Sequence, residues 1–150
     1  MLHPACQKTA APPQTLFETP PLPSPEQRQI PFQEAIDLLK PLLNDAGVLK
    51  IGHNIKYDAL VLAKYGIDLS PIDDTMVMSY SLDGTSHGHS LDELAWLHLE
   101  HKTIKYADVT GTGRHQVTFD KVPLDQASDY AAEDADITLK LHQTLYPMLD

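Results

Sequence analysis

The 150 residues are 42% hydrophobic and 21% charged, enough apolar material for one soluble domain with an ordinary core and too little chain for a second. The formal net charge of −10, from 11 Lys+Arg against 21 Asp+Glu, has the wrong sign for a protein that holds nucleic acid mainly by counterion release; bound divalent cations, bridging acidic side chains to phosphate, would alter that balance locally, which weakens the objection without removing it. No apolar run approaches the roughly 18 residues of a membrane span, the opening MLHPACQKTAAPPQ lacks a signal-peptide core, and the single Cys6 has no partner for a disulfide, so a cytoplasmic setting without membrane attachment is expected.

Along the chain, eight of the 12 prolines fall in residues 1–31 among Gln, Thr, Ser and Ala, which reads as a flexible leader or loop preceding a folded domain over 32–150. PFQEAIDLLKPLLND places Phe32, Ala35, Ile36, Leu39, Leu42 and Leu43 at helical spacing, with a bend expected at Pro41. GVLKIGHN is a short apolar run bounded by glycines, a strand followed by Asn54 as a helix cap. IKYDALVLAKYG is a helix closed by Gly66, and IDLSPIDDTM a short strand, a turn and a cap at Asp73 or Asp74 for a helix reaching about Leu82. DGTSHGHS is a loop and LDELAWLHLEH a helix. DVTGTGRHQ is a second loop, HQVTFD a loop and strand, and a long final helix begins near Leu124. The order is α/β with helices dominant.

Two carboxylates stand out against this pattern. On the wheel of YAAEDADITLKLH, Asp134 shares an arc of roughly 60° with Tyr130, Ile137, Leu141 and Leu145, whereas Glu133 and Asp136 join Asp129 and Lys140 on a solvated face. Asp58 shares an arc with Ile55, Val61, Leu62 and Tyr65, while Lys56 and Lys64 point away. A carboxylate on an apolar face pays a desolvation penalty unless a cation or hydrogen-bond donors meet it. Either these acids are structural acceptors of backbone hydrogen bonds, or two helices direct them at a shared divalent cation, for which carboxylate oxygen is the preferred ligand. Tyr130, one turn before Asp134 on the same face, is either a core tyrosine or a hydroxyl that orients a water. A zinc site among His87, His89, His98 and His101 is disfavoured by the lack of an assisting cysteine.

IGHNIKYDALVLAKYGI, DDTMVMSYSLD, HGHSLDELA, HKTI, VTFDKVPL and YAAEDADITLKLH, in this order, closely resemble the 3′–5′ proofreading exonuclease domain of bacterial DNA polymerase I, from about residue 31 to the end. The resemblance implies a ribonuclease H-like fold and hydrolysis of phosphodiester bonds at a single-stranded DNA 3′ end by two Mg²⁺ or Mn²⁺ ions held by four carboxylates. It implies Asp58 and Asp134 as metal ligands, Tyr130 as the residue positioning the attacking water, and Asn54 as a contact to the DNA strand. The family's first motif, D-x-E on the first strand, has no counterpart. The acids before Asn54 are Glu18, Glu26, Glu34, Asp37 and Asp45, none spaced in that way. The sheet is accordingly expected to lack its first strands, and the family's polymerase region is absent from this chain. Impaired catalysis is expected, with a non-catalytic single-stranded nucleic-acid-binding or structural module as the alternative. An RNA-trimming exonuclease of the ribonuclease D kind fits the flanking motifs less well.

Overall fold

The computed structural model describes residues 30–149, so the Pro-rich leader, save its last two residues, and Cys6 lie outside the described residues. Helix α1 (Phe32–Leu43) runs through Pro41 rather than stopping there, and its apolar stripe is largely open: Ile36 alone is buried, while Leu38, Leu39 and Leu42 are exposed. Strand β1 (Lys50–Gly52) follows, then α2 (Lys56–Ala63), β2 (Ile72–Asp74) and α3 (Thr75–Leu82). The strands pair in parallel, Lys50 opposite Ile72 and Gly52 opposite Asp74, and form the one sheet among the described residues. A parallel pair needs a crossover, and α2 supplies it. Lys50 is buried in this strand because its ammonium reaches the carbonyls of Asp45 (2.8 Å) and Ser70 (2.6 Å), which replace its lost water. Gly52 lets the chain fold tightly into α2, since a Cβ there would stand 2.8 Å from the Ile55 side chain.

The second half supplies the core. Helix α4 (Leu91–Leu99) is capped by Ser90, whose hydroxyl accepts the Glu93 amide proton, and α6 (Leu124–Leu145) is the long final helix expected from the sequence. Leu94, Ala95, Met78, Ile137, Leu141 and Leu145 form the buried cluster, with Leu82, Leu91 and Leu99 packed around it. Helix α6 therefore buries the stripe read from its wheel, against α3 and α4. Two local expectations fail. The first three residues of the predicted loop DVTGTGRHQ belong to helix α5 (Tyr106–Thr110), with Asp108 accepting the Lys105 amide proton (3.1 Å). The expected strand in HQVTFD is instead irregular chain and a 3₁₀ turn, Phe119–Lys121, which stacks Phe119 on Tyr106 with ring centroids 6.1 Å apart. Among the described residues no helix is long and apolar enough to cross a membrane.

Candidate active site

One open cavity of about 510 Å³ gathers side chains from β1, α2, α4 and α6. Asp58, Asp134 and Tyr130, read from the sequence as a set, all line it, together with His53 and Asp92. Their elements explain why. Asp134 and Tyr130 are one turn apart on α6, at the edge of the stripe that Ile137, Leu141 and Leu145 bury, so both are half-buried at the mouth of the core. Asp58 sits in the first turn of α2, which the β1 turn at Gly52 swings over the same space.

The physical state of the two acids differs from the wheel reading. Asp134 is partly dehydrated: burial raises its carboxyl above the usual range, the Tyr130 hydroxyl opposes that rise, and the neighbouring charges of Glu133 and Asp92 reinforce it. Tyr130 is pushed up to about 12, first by burial and then by the adjacent Asp134 carboxylate, so its phenol keeps its proton throughout the neutral range. Asp58, by contrast, is exposed. No residue of α2 is buried, and Val61 and Tyr65, which were to share an apolar face with Asp58, are themselves exposed. Asp134 is thus desolvated and Asp58 is not, because periodicity marks a face able to pack without supplying the element that covers it.

Asn54 does not cap α2. It takes a positive φ of 57°, which Asn tolerates, and donates its own amide proton to Asp74 Oδ1 (2.9 Å), as Ile55 does to Oδ2 (3.0 Å). Asp74 also accepts from Met76 N (2.9 Å) at the start of α3, so one carboxylate serves two helix N-termini. Asp73, the other candidate cap, meets His142 Nε2 at 2.6 Å instead.

Three residues near the site escaped the sequence reading. Asp92, on the rim between α4 and α6, accepts the Thr103 hydroxyl proton (2.7 Å). A first-turn acid on a helix is ordinarily a partner of the helix dipole, so nothing local marked it. His53 bonds Thr75 Oγ1 through Nδ1 (2.9 Å), and the Thr75 hydroxyl in turn donates to Gly52 O (3.2 Å). Burial lowers the His53 pKa, and the nearby Asp74 carboxylate opposes that fall. Glu133, assigned to a solvated face, has a side chain only 18% exposed; it binds His101 Nε2 (2.8 Å) and accepts the Ile104 amide proton (2.6 Å). Asp136 does behave as expected, pairing with Lys140 at the surface. Among the described residues, no group of three or more His, Cys, Asp or Glu side chains is arranged to hold a metal ion.

Residues 20–150 match the family described as 3′–5′ exonuclease. The chain is 50% identical over 121 residues to the DNA polymerase I of Rhizobium leguminosarum, a match covering 81% of this chain and 12% of that protein. It is 44% identical over 125 residues to the DNA polymerase I of Pseudomonas aeruginosa, covering 81% and 14%, and 36% identical over 127 residues to that of Chloroflexus aurantiacus, covering 83% and 13%. The chain thus spans a small fraction of the length of these relatives.

Proposed function

Because the chain belongs to the 3′–5′ exonuclease family of DNA polymerase I type, with the helix-rich ribonuclease H-like α/β fold that goes with it, we propose that the cavity lined by α2, α4 and α6 is where a phosphodiester bond at a single-stranded DNA 3′ end is hydrolysed. The observation that carries this reading is the convergence of Asp58, Tyr130 and Asp134 on one cavity from two separate helices. Both acids offer the hard oxygen that Mg²⁺ or Mn²⁺ prefers, and Asp134 offers it from a partly dehydrated niche beside Glu133 and Asp92. In this reading Asp58 and Asp134 are the two carboxylates offered to an ion, and the sequence carries no D-x-E before Asn54 to offer the second pair that a two-ion site requires. When bound, a divalent ion supplies polarised water and neutralises charge at the phosphate.

The chain's own groups have separate tasks in this reading. Tyr130, one turn before Asp134 on α6, retains its proton at neutral pH, so its hydroxyl orients a water in the cavity without acting as a base. Asn54, held at the β1–α2 turn through Asp74, lies beside the cavity-lining His53, where it meets the DNA strand. The incomplete ligand set gives this chain little or no nuclease activity. The same incompleteness favours, as a second reading, a module that binds single-stranded ends without cleaving them.

The test is release of nucleotides from the 3′ end of labelled single-stranded DNA in Mg²⁺ or Mn²⁺, beside calorimetric titration of Mn²⁺ into the chain. Weak binding of one ion, lost in both Asp58→Asn and Asp134→Asn, with slow or undetectable cleavage, is expected. Robust cleavage abolished by Asp134→Asn overturns the ligand count, and Mn²⁺ binding indifferent to both substitutions overturns the site.

A further inference from the structure

A second and larger cavity, about 630 Å³, opens on the outer side of α4 and the segment that follows it. Its wall is Trp96 and Leu97, 66% and 51% exposed, and its rim carries Lys102 and Lys105. An indole left this open is unusual beside a core that buries Leu94 and Ala95 on the same helix completely. Neither lysine makes an ion pair among the described residues, although the chain carries a net charge of −10. The acids that share the cavity are already engaged: Asp92 accepts the Thr103 hydroxyl proton (2.7 Å), and Glu93 that of Ser90 (2.9 Å). These bonds orient Asp92 and Glu93 without cancelling their charge, and Lys102 and Lys105 are the lining cations that have no anionic partner among the described residues.

The segment bearing these lysines is fastened at three points. Glu133 holds His101 Nε2 and the Ile104 amide, and Asp92 holds Thr103 between them. Lys102 and Lys105 thus project from a fixed backbone, so little backbone ordering is needed to bring them to a ligand. Asp92 also lines the candidate active site, which makes the two cavities neighbours across one side chain.

We propose that this second cavity is a subsite for the single-stranded nucleic acid adjoining the reacting terminus, one base stacking on Trp96 and the flanking phosphates meeting Lys102 and Lys105. The assignment rests on the exonuclease reading above and adds to it a place for nucleotides that are not cleaved. Aromatic stacking beside scattered ammonium groups binds single strands with little sequence preference, which suits an enzyme that must accept any terminus.

Trp96 is the chain's only tryptophan, so its emission reports on this surface alone. The experiment titrates the chain with oligothymidylate of about 10 nucleotides in EDTA, within the site sizes usual for single-strand binders, reading Trp96 emission and, in parallel, the anisotropy of the same oligonucleotide carrying a dye. The expected result is saturable quenching with the midpoint given by anisotropy. Trp96→Leu, at an exposed position that leaves the core intact, should weaken the anisotropy isotherm about 5- to 100-fold, the range for one stacked base. Lys102→Ala and Lys105→Ala should each reduce the slope of log K against log salt by about 0.7. Binding by anisotropy with Trp96 emission and affinity unchanged overturns the subsite and leaves the exonuclease reading standing. No binding by either signal overturns both. Equal quenching by polyglutamate of similar length overturns the nucleic-acid assignment in favour of an acidic protein partner.

Discussion

Helices α6 and α2 each carry one acid of the proposed site, and their packing is opposite. Helix α6 buries Ile137, Leu141 and Leu145 to within 1% of full burial, whereas α2 leaves Leu60 70% and Tyr57 68% exposed. The same wheel argument applied to both sequences, so the difference lies in what surrounds them: α6 meets α3 and α4, while α2 spans only the two-stranded sheet as its crossover. One acid is therefore tuned by a core and the other by solvent. Asp134 lies in a partly dehydrated niche beside Glu133 and Asp92, and the Asp58 side chain is exposed.

The sharpest way to break this contrast is to truncate one leucine on each helix. Leu141→Ala should cost about 2–5 kcal/mol in urea unfolding, the range for an emptied core position, and Leu60→Ala less than about 0.5 kcal/mol. A large penalty at Leu60 that grows with protein concentration would mean that a second copy covers the α2 face in solution.

A middle-sized effect is expected at Glu133. Burial pushes this carboxyl up, but the hydrogen bonds from His101 and Ile104 outweigh it and hold it below the usual glutamate range. A depressed acid contributes stability above its unfolded pKa and loses it as pH falls through the folded one. Glu133→Gln should thus cost about 1–2 kcal/mol at neutral pH, with the gap between variant and parent closing below about pH 4, and the Ile104 amide should exchange faster in the variant. An unchanged exchange rate at Ile104 would show that the segment is held by other contacts.

The smallest effect has the opposite sign. Asp134 has its folded pKa raised, so its stability contribution is complete below the unfolded carboxylate pKa and lost as pH rises through the folded value. At neutral pH Asp134→Asn should raise Tm, by about 1–3 °C, and the gain should vanish near pH 3, while Asp58→Asn leaves Tm within about 1 °C. Removing the proposed metal ligand would then stabilise the fold, as expected of a residue kept for chemistry at the expense of stability. A Tm lowered by Asp134→Asn would mean that its carboxylate is a structural acceptor.

What the sequence disclosed divides along similar lines. The start of α6 near Leu124, its stripe from Tyr130 to Leu145, the strand at Lys50–Gly52 and the helix ending at Leu82 all follow from spacing and local punctuation. The wheels raised a meeting of Asp58 and Asp134 and the order of motifs added Tyr130 to the set, and all three line one cavity. The cap of α3 at Asp74 was legible as well, but its bonds to Asn54 and Ile55 were not, nor were the roles of Glu133 and Asp92, because these partners lie far along the chain: Ile104 for Glu133 and Thr103 for Asp92. A helical wheel places an acid toward solvent or core, and it holds no information about a loop that later folds over it. Helix α5 was missed for a related reason, as its five residues are too few to show a period.

Asp74 has a further consequence. Since a single carboxylate receives the amides of Asn54 and Ile55 entering α2 and of Met76 entering α3, these protons lose their protection in one event when the side chain swings away. The two helix starts form a single cooperative unit of exchange, and the backbone leading to Asp58 cannot loosen by itself. A disturbance at the start of α3 is thereby felt in the helix that presents Asp58.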